Sequence, residues 1–168
     1  TIIVAIPSPY VKSCLDEINI DISHKKIISA VKGMIPDEHT LVTDYIHEHF
    51  HVPHENIGVI AGPCHAEEIA LERLSYLTIG GISKQNTQAW SELLTTRYVH
   101  VAQSNDVIGL EYSSVMKNIY AIAAGMCSSL RYGDNFQAVL LTNAMHEIMR
   151  FANAKSPIPR DITNSGYL

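Results

Sequence analysis

The sequence lacks several features that mark large functional classes. Its three cysteines, Cys14, Cys64 and Cys127, form no CxxC pair and no even-numbered framework, which is typical of reduced thiols in a cytosolic protein. A net charge of −5 provides no basic excess, which argues against nucleic acid as a partner. Charged residues make up only 17% and hydrophobic residues 46%, so the composition is globular rather than disordered.

A second absence concerns dinucleotide binding. None of the nine glycines forms a GxGxxG pattern, so a complete dinucleotide site is not encoded in these residues. The chain opens TIIVAIP, a run typical of a buried strand, with no Met, basic stretch or cleavage site that would mark a signal peptide. We therefore expect an internal part of a longer cytoplasmic protein, with further strands on its N-terminal side.

Strand and helix signals alternate through the first hundred residues. This alternation predicts a largely parallel sheet with helices on both faces. The expected strands are Thr1–Ile6, Lys26–Val31, Asn56–Ala61, Tyr76–Ile79 and Tyr98–Ala102. The expected helices are Pro9–Ile18, Thr40–Phe50, Cys64–Arg73 and Lys84–Thr96.

The pattern changes near residue 105, where strand signals stop. Two helices are expected, at Asp106–Leu130 and Asn135–Phe151, followed by a loop over 156–168. This shift predicts one domain over 1–104 and a second, all-helical domain over 105–168. The apolar stretch 112–130 approaches the length of a membrane span, but its polar pairs favour a buried helix in a soluble protein.

One charge stands inside that apolar stretch. Lys117 and the neighbouring Asn118 lie among Val115, Met116, Ile119 and Ile122. A lysine held in an apolar pocket has a lowered pKa and can serve as a general acid or base. The alternative is a lysine whose ammonium reaches water from the end of a helix.

Three segments follow predicted strands, where α/β proteins bind ligands. They are 6–10 (IPSPY), 31–33 (VKG) and 62–66 (GPCHA). A glycine lets the backbone approach a ligand, and a helix N-terminus favours an anion. Each segment alone also fits ordinary loop punctuation, but the three together indicate a ligand site.

The histidines and a Cys–His pair give only weak support for metal binding or for cysteine catalysis. His47 and His51 would share one helix face, yet no acidic or thiol partner has matching spacing, so we expect no metal site. Cys64 precedes His65 directly, but adjacency in sequence does not make a catalytic pair.

Three longer strings resemble a known family. They are IAGPCHAEE (60–68), NDVIGLEYSSVMKNIYAIAAGM (105–126) and GDNFQAVLLTNAMHE (133–147), preceded in order by VAIPS and VKG. Together they strongly resemble NAD(P)-dependent glycerol-3-phosphate dehydrogenases of the bacterial type, over nearly the whole chain. The resemblance implies an α/β fold: a partial Rossmann-type doubly wound sheet, without its glycine-rich unit, followed by the first helices of an all-α substrate domain.

The resemblance also implies residue roles. Lys117 matches the catalytic lysine, the general acid and base. The substrate-binding positions fall on Lys32, Gly62, Cys64, Lys117 and Asn118. The cofactor-binding positions fall on Pro7, Ser8, Tyr10, Lys32 and Ala66. Cys64 departs from the small hydroxyl residue usual in that loop.

The implied reaction is hydride transfer between NAD or NADP and dihydroxyacetone phosphate or sn-glycerol 3-phosphate, which supplies glycerophospholipid synthesis. The implied partner is a small phosphorylated substrate, with no nucleic acid and no membrane insertion, and a homodimer stays open. Two alternatives remain. One is a related lysine-dependent 2- or 3-hydroxy acid dehydrogenase, and the other is a chain that is inactive by itself or serves as an interaction module.

Overall fold

The computed structural model describes residues 1–160 and 165–167, which contain seven strands and six helices. The strands are β1 (Ile2–Val4), β2 (Ile27–Ser29), β3 (Met34–Ile35), β4 (Thr40–Leu41), β5 (Ile57–Ala61), β6 (Ser75–Gly81) and β7 (Val99–Ser104). The helices are α1 (Ser8–Asp16), α2 (Val42–Phe50), α3 (Ala66–Ala70), α4 (Lys84–Leu94), α5 (Val107–Ser129) and α6 (Asp134–Lys155).

Five strands form one sheet in the order β1-β2-β5-β6-β7. Three of its pairings are parallel, as the sequence predicts, but β6 runs antiparallel to β5. The helix predicted at Cys64–Arg73 is wrong in length, because α3 covers only five residues and buries none of them. So short a helix does not serve as the crossover that a parallel connection needs, and the chain reverses direction instead.

A small antiparallel hairpin interrupts the predicted α/β alternation. Met34 pairs with Leu41 and Ile35 with Thr40, and His39 closes the turn with a φ of 51°. The sequence did not predict β3 or β4, because each strand is only two residues long. The helix predicted from Thr40 therefore begins at Val42.

Both faces of the sheet are covered, as predicted. Ile27 packs with α1 and α2 through fully buried Val11 and Tyr45, whereas Ile28 packs on the opposite face with Trp90 of α4. Successive residues of a strand point to opposite faces of the sheet. Because both faces are covered, Ile27 and Ile28 are both apolar. The solved structures described below confirm the predicted fold class.

Helix α5 is buried only over its first two turns. Residues 109–111, 113 and 114 are buried, whereas Ile119 is 60% exposed and Ile122 is 67% exposed. The prediction that α5 is buried along its length is therefore wrong for its C-terminal half. Its apolar side there packs against α6 only in part. None of the helices in the described residues has the length and apolar character needed to cross a bilayer.

The segment after α6 was predicted to be a loop. Residues 156–160 have no regular structure, and Ser165–Tyr167 form a 3₁₀ turn. Residues 161–164 and 168 lie outside the described part of the chain. Tyr167 packs with Val59, Ala61 and Leu110, so this turn covers the carboxyl end of β5.

Candidate active site

The carboxyl ends of β1, β2 and β5 meet at one edge of the sheet, because these three neighbouring strands are parallel. The segment after β1 touches the segment after β2. A β-carbon added at Gly33 would collide with the side chain of Ser8. Glycine is therefore required at position 33 for the two loops to come this close.

Helix α5 brings its polar pair to the same edge. The Asn118 side-chain amide donates a hydrogen bond to the Lys32 carbonyl oxygen at 3.3 Å. This contact joins residues 86 positions apart. It brings two segments together that the sequence analysis selected independently, the VKG segment and the Lys-Asn pair.

Lys117 is half-buried rather than enclosed. Burial lowers the pKa of its ammonium below the ordinary value, and the nearby positive charge of Lys32 lowers it further. Two like charges disfavour each other's protonated forms at short range. The expected apolar enclosure by Ile119 and Ile122 is wrong, since both side chains are exposed. The lowered pKa arises from partial burial beside a second lysine.

The loop after β5 forms the third side of this edge. Gly62 is buried with a φ of 106°, a conformation that favours glycine. Cys64 is partly buried, and burial raises the pKa of its thiol while the Lys32 charge opposes that rise. Lys32 therefore acts electrostatically on both Cys64 and Lys117.

The predicted cofactor positions occupy the starts of two helices. Pro7 is the N-cap of α1, and Ser8 and Tyr10 lie in its first turn. Tyr10 is 61% exposed, and Ala66 is exposed at the first position of α3. The structure places these residues just after β1 and β5, where α1 and α3 begin, and Lys32, the fifth predicted position, follows β2. Their binding roles stay predictions.

Sequence reasoning missed Glu111, a buried carboxylate in α5. Its oxygens accept hydrogen bonds from the backbone N–H of Thr43, at 3.3 Å, and from the Thr43 hydroxyl. Burial raises the pKa of Glu111 to about 7, Thr43 opposes the rise, and the charge of Asp44 adds to it. The available signal was an acidic residue at the start of an apolar stretch.

Asp106 was missed as well. It is 4% exposed, caps α5 through the N–H of Gly109, and accepts two hydrogen bonds from Arg160 at 2.5 and 3.0 Å. The Tyr167 hydroxyl donates to the same carboxylate at 2.8 Å. This network ties the segments on either side of residues 161–164 to the start of α5.

A cavity of about 720 Å³ opens beside Asp106, away from the lysine pair. Its lining includes Lys84, Gln88, Gln103 and Arg160. Arg160 already binds Asp106, so the cavity offers few uncommitted charges. We place the reaction at the lysine pair because a general acid or base must reach the reacting atoms.

The histidines form stacked pairs. His47 stacks on His54 with ring centroids 3.8 Å apart, and its Nδ1 lies 2.8 Å from the Val52 carbonyl oxygen. In the described residues, no three His, Cys, Asp or Glu side chains are grouped as metal ligands.

Two family models match the chain. The model of the NAD-dependent glycerol-3-phosphate dehydrogenase N-terminus covers residues 1–88, and that of the C-terminus covers residues 106–167. The chain belongs to this family. The resemblance stated from the sequence is thereby confirmed.

Individual relatives agree with the family models. A glycerol-3-phosphate dehydrogenase [NAD(P)+] of Macrococcus caseolyticus is 32% identical over 160 residues, which are 94% of this chain and 48% of the relative. One from an Exiguobacterium species is 35% identical over 151 residues, 89% of this chain and 44% of the relative. The chain thus spans about half the length of the curated relatives it matches.

Solved structures show the same fold. The glycerol-3-phosphate dehydrogenase of Plasmodium falciparum superimposes with a TM-score of 0.85 and 27% identity, over 98% of this chain and 47% of that one. The enzyme of Saccharomyces cerevisiae gives 0.82 and 26%, over 98% and 50%.

Proposed function

We propose that the protein transfers a hydride between NAD(P)H and dihydroxyacetone phosphate, and in reverse from sn-glycerol 3-phosphate, with Lys117 as general acid and base. One observation carries the proposal. Lys117 is half-buried beside Lys32, with a lowered pKa, at the edge where β1, β2 and β5 end. Parallel α/β sheets bind their ligands at this edge, and the family match includes both lysines.

Lys117 supplies the proton. Reduction of the central carbonyl leaves negative charge on its oxygen, which the Lys117 ammonium stabilises and then protonates. In the reverse direction the neutral amine accepts the proton of the hydroxyl group. A lowered pKa serves both directions, because an acid or base works best near the operating pH. The half-buried position lowers the pKa while leaving the side chain accessible to substrate.

Lys32 and the glycine loop bind the phosphorylated substrate. A second ammonium beside Lys117 favours an anionic ligand, since a bound phosphate offsets the repulsion between the two lysines. Gly62 lets the backbone of its loop approach that ligand, and Cys64 borders it. Asn118 fixes the carbonyl of Lys32 and so contributes to its placement.

The residues at this edge fit the nicotinamide half of a dinucleotide. Gly33 and Gly62 present no side chain there, the Ser8 side chain lies against Gly33, and Tyr10 is exposed in the first turn of α1. When bound, the nicotinamide supplies the hydride. Pro7, Ser8, Tyr10, Lys32 and Ala66 would contact the cofactor. A GxGxxG motif, which binds pyrophosphate in such folds, is not among the 168 residues.

Two further assignments belong to this proposal. The domain boundary lies near residues 104–106, between β7 and α5. The protein acts in the cytoplasm, consistent with three free cysteines. The homodimer that the family resemblance leaves open would be tested by sedimentation of the full-length protein.

The test is turnover by the full-length protein. Oxidation of NADH and of NADPH is followed with dihydroxyacetone phosphate and, separately, with 2- and 3-oxo acids. The wild type is compared with Lys117→Ala and with Lys25→Ala. Lys25 is an exposed lysine that precedes β2, whereas Lys32 follows that strand.

We expect turnover with dihydroxyacetone phosphate, unchanged in Lys25→Ala and reduced by about 10²–10⁴-fold in Lys117→Ala, the range for loss of a general acid. Turnover only with an oxo acid would contradict the phosphorylated substrate and support the hydroxy acid dehydrogenase. No turnover with any of these substrates would contradict the proposed reaction.

A further inference from the structure

Glu111 makes an unusual contact for a buried carboxylate. It is 3% exposed, and its hydrogen bonds come from the neutral donors of Thr43, the backbone N–H and the hydroxyl. A buried charge is costly unless its oxygens are satisfied. The contact spans 68 residues, so it joins two distant parts of the chain.

The contact caps α2. The residue preceding this helix, Leu41, has no side-chain acceptor for the N–H groups of the first turn. Helices ordinarily solve this locally with Ser, Thr, Asp or Asn. Here a carboxylate from α5 accepts the Thr43 N–H, and a negative charge there also favours the helix dipole. The start of α2 is thereby attached to α5.

The same face of α5 makes two contacts with one connection, the segment 32–43 that leads from β2 into the start of α2. Glu111 and Asn118 are seven positions apart, which on a helix brings them to within about 20° of one direction. Asn118 bonds to the Lys32 carbonyl at the beginning of the connection, and Glu111 bonds to Thr43 at its end. Because Lys117 is next to Asn118 in α5, the two contacts fix the position of Lys117 relative to this connection.

The two contacts differ in strength. The Asn118 bond and the Thr43 N–H bond to Glu111 are both 3.3 Å long, but the Asn118 bond is exposed and the Glu111 bonds are buried. Losing one partner of a buried hydrogen bond leaves a polar group without water to replace it, which costs more than the same loss at an exposed pair. The position of α5 relative to the connection therefore depends mainly on Glu111.

We propose that Glu111 is a positioning residue: by capping α2 from within α5, it holds Lys117 beside Lys32. This inference rests on the proposed function, in which the two lysines act together. Glu111 touches neither substrate nor cofactor, and it acts through the helix that carries Lys117.

Losing the Glu111 contact should also change the pKa of Lys117. The charge of Lys32 contributes to the lowered pKa of Lys117. If the Glu111 contact is lost, the two lysines are free to separate, and the pKa of Lys117 rises. The charged and titratable groups around Glu111 are Asp44 on α2 and Tyr112 on α5. Asp44 is influenced in turn by His54, Glu48 and His47.

The experiment compares variants of the full-length protein. Glu111→Ala removes the acceptor, Glu111→Gln keeps the length and one acceptor oxygen, and Thr43→Val removes the hydroxyl donor. Glu147→Gln is the matched control, because Glu147 also accepts a hydrogen bond from a side chain of α5, the Tyr120 hydroxyl, but it lies on α6 and the contact is exposed.

Two properties are measured for each variant. The first is kcat/KM for dihydroxyacetone phosphate as a function of pH. The second is the pKa of Lys117, from the pH dependence of its competitive acetylation by acetic anhydride, read by mass spectrometry. The second readout needs no activity, so it separates failure of this inference from failure of the proposed reaction.

We expect Glu111→Ala to raise the Lys117 pKa and to lower kcat/KM about tenfold or more, since small displacements of catalytic groups have effects of this size. Glu111→Gln should recover most of the loss, Thr43→Val should give an intermediate shift in the same direction, and Glu147→Gln should match the wild type. If Glu111→Ala does not fold, the Lys117 pKa and kcat/KM of Thr43→Val and Glu111→Gln test the inference. An unshifted Lys117 pKa in the folded variants, or an equal shift in Glu147→Gln, would overturn the inference.

Discussion

Adding one methyl group at two glycines should change stability in opposite directions. Gly58 lies in β5, where an added β-carbon would be 2.5 Å from a ring carbon of Trp90 and 2.9 Å from the carbonyl oxygen of Gly80. Trp90 is only 2% exposed, and the carbonyl belongs to the neighbouring strand, so neither can withdraw easily. Gly125 lies in α5, and apart from its chain neighbours and the adjacent backbone of its own helix no atom lies within 4 Å of the added β-carbon.

The magnitudes follow from these surroundings. Overpacking in a close-packed core costs about 1–3 kcal/mol, so Gly58→Ala should lower the free energy of unfolding by about 2 kcal/mol. Gly125→Ala replaces a poor helix former at an exposed helical position and should raise it by about 0.5–1 kcal/mol. The two variants differ from each other by the site alone, because the chemical change is the same.

The assay is urea unfolding at low protein concentration. In a chain of these 168 residues Trp90 is the single tryptophan, so its fluorescence reports on the core next to Gly58, and circular dichroism at a helix wavelength gives an independent curve. A changed midpoint with an unchanged slope identifies a change of stability. Trp90→Leu should reduce the penalty of Gly58→Ala. A Gly58→Ala protein as stable as the wild type would refute the packing described for this face.

Three further predictions concern buried groups. Arg160→Met leaves Asp106 buried without its cation and should lower the free energy of unfolding, measured in urea, by about 3–5 kcal/mol. Arg73→Met, at an exposed position, should change it little. Equal effects of the two substitutions would contradict the buried ion pair. The pKa of Glu111 is raised from 4.5 to about 7, so the folded state binds more protons than the unfolded state in that window. The wild type should therefore lose stability relative to Glu111→Gln as pH rises through it, and a constant difference would count against the raised pKa. Iodoacetamide should modify exposed Cys14 faster than partly buried Cys64, whose thiol pKa is raised, with peptide mass spectrometry as the measurement and the reverse order as the contradicting result.

The regular parts of the fold were accessible from sequence because strands and helices there carry strong local patterns. β2 and β5 are continuous apolar runs, and α5 and α6 have long helical stretches. The hairpin of β3 and β4 was not accessible, since two-residue strands have no period to detect. The reversal of β6 accompanies the shortness of α3, whereas the sequence predicted a longer helix over Cys64–Arg73.

The sequence selected segments that the structure brings together, but it did not predict what surrounds them. Strand ends and a lone lysine in an apolar helix pointed to Lys32 and Lys117, and the structure brings them together through Asn118. The sequence suggested enclosure of Lys117 by Ile119 and Ile122 because apolar neighbours in a helix look buried. Both are exposed, since burial depends on which other element covers that side. Glu111 was overlooked because its partner, Thr43, is 68 residues away.

Chemical rescue tests most directly whether Lys117 is the proton donor and acceptor. Turnover of dihydroxyacetone phosphate by full-length Lys117→Ala would be measured with and without added methylammonium. We predict loss of turnover and partial recovery that increases with amine concentration and declines as pH rises through the pKa of the added amine, because the ammonium form supplies the proton that Lys117 would have donated. Turnover in Lys117→Ala equal to that of the wild type, without added amine, would contradict the role of Lys117 and move the proton donor elsewhere.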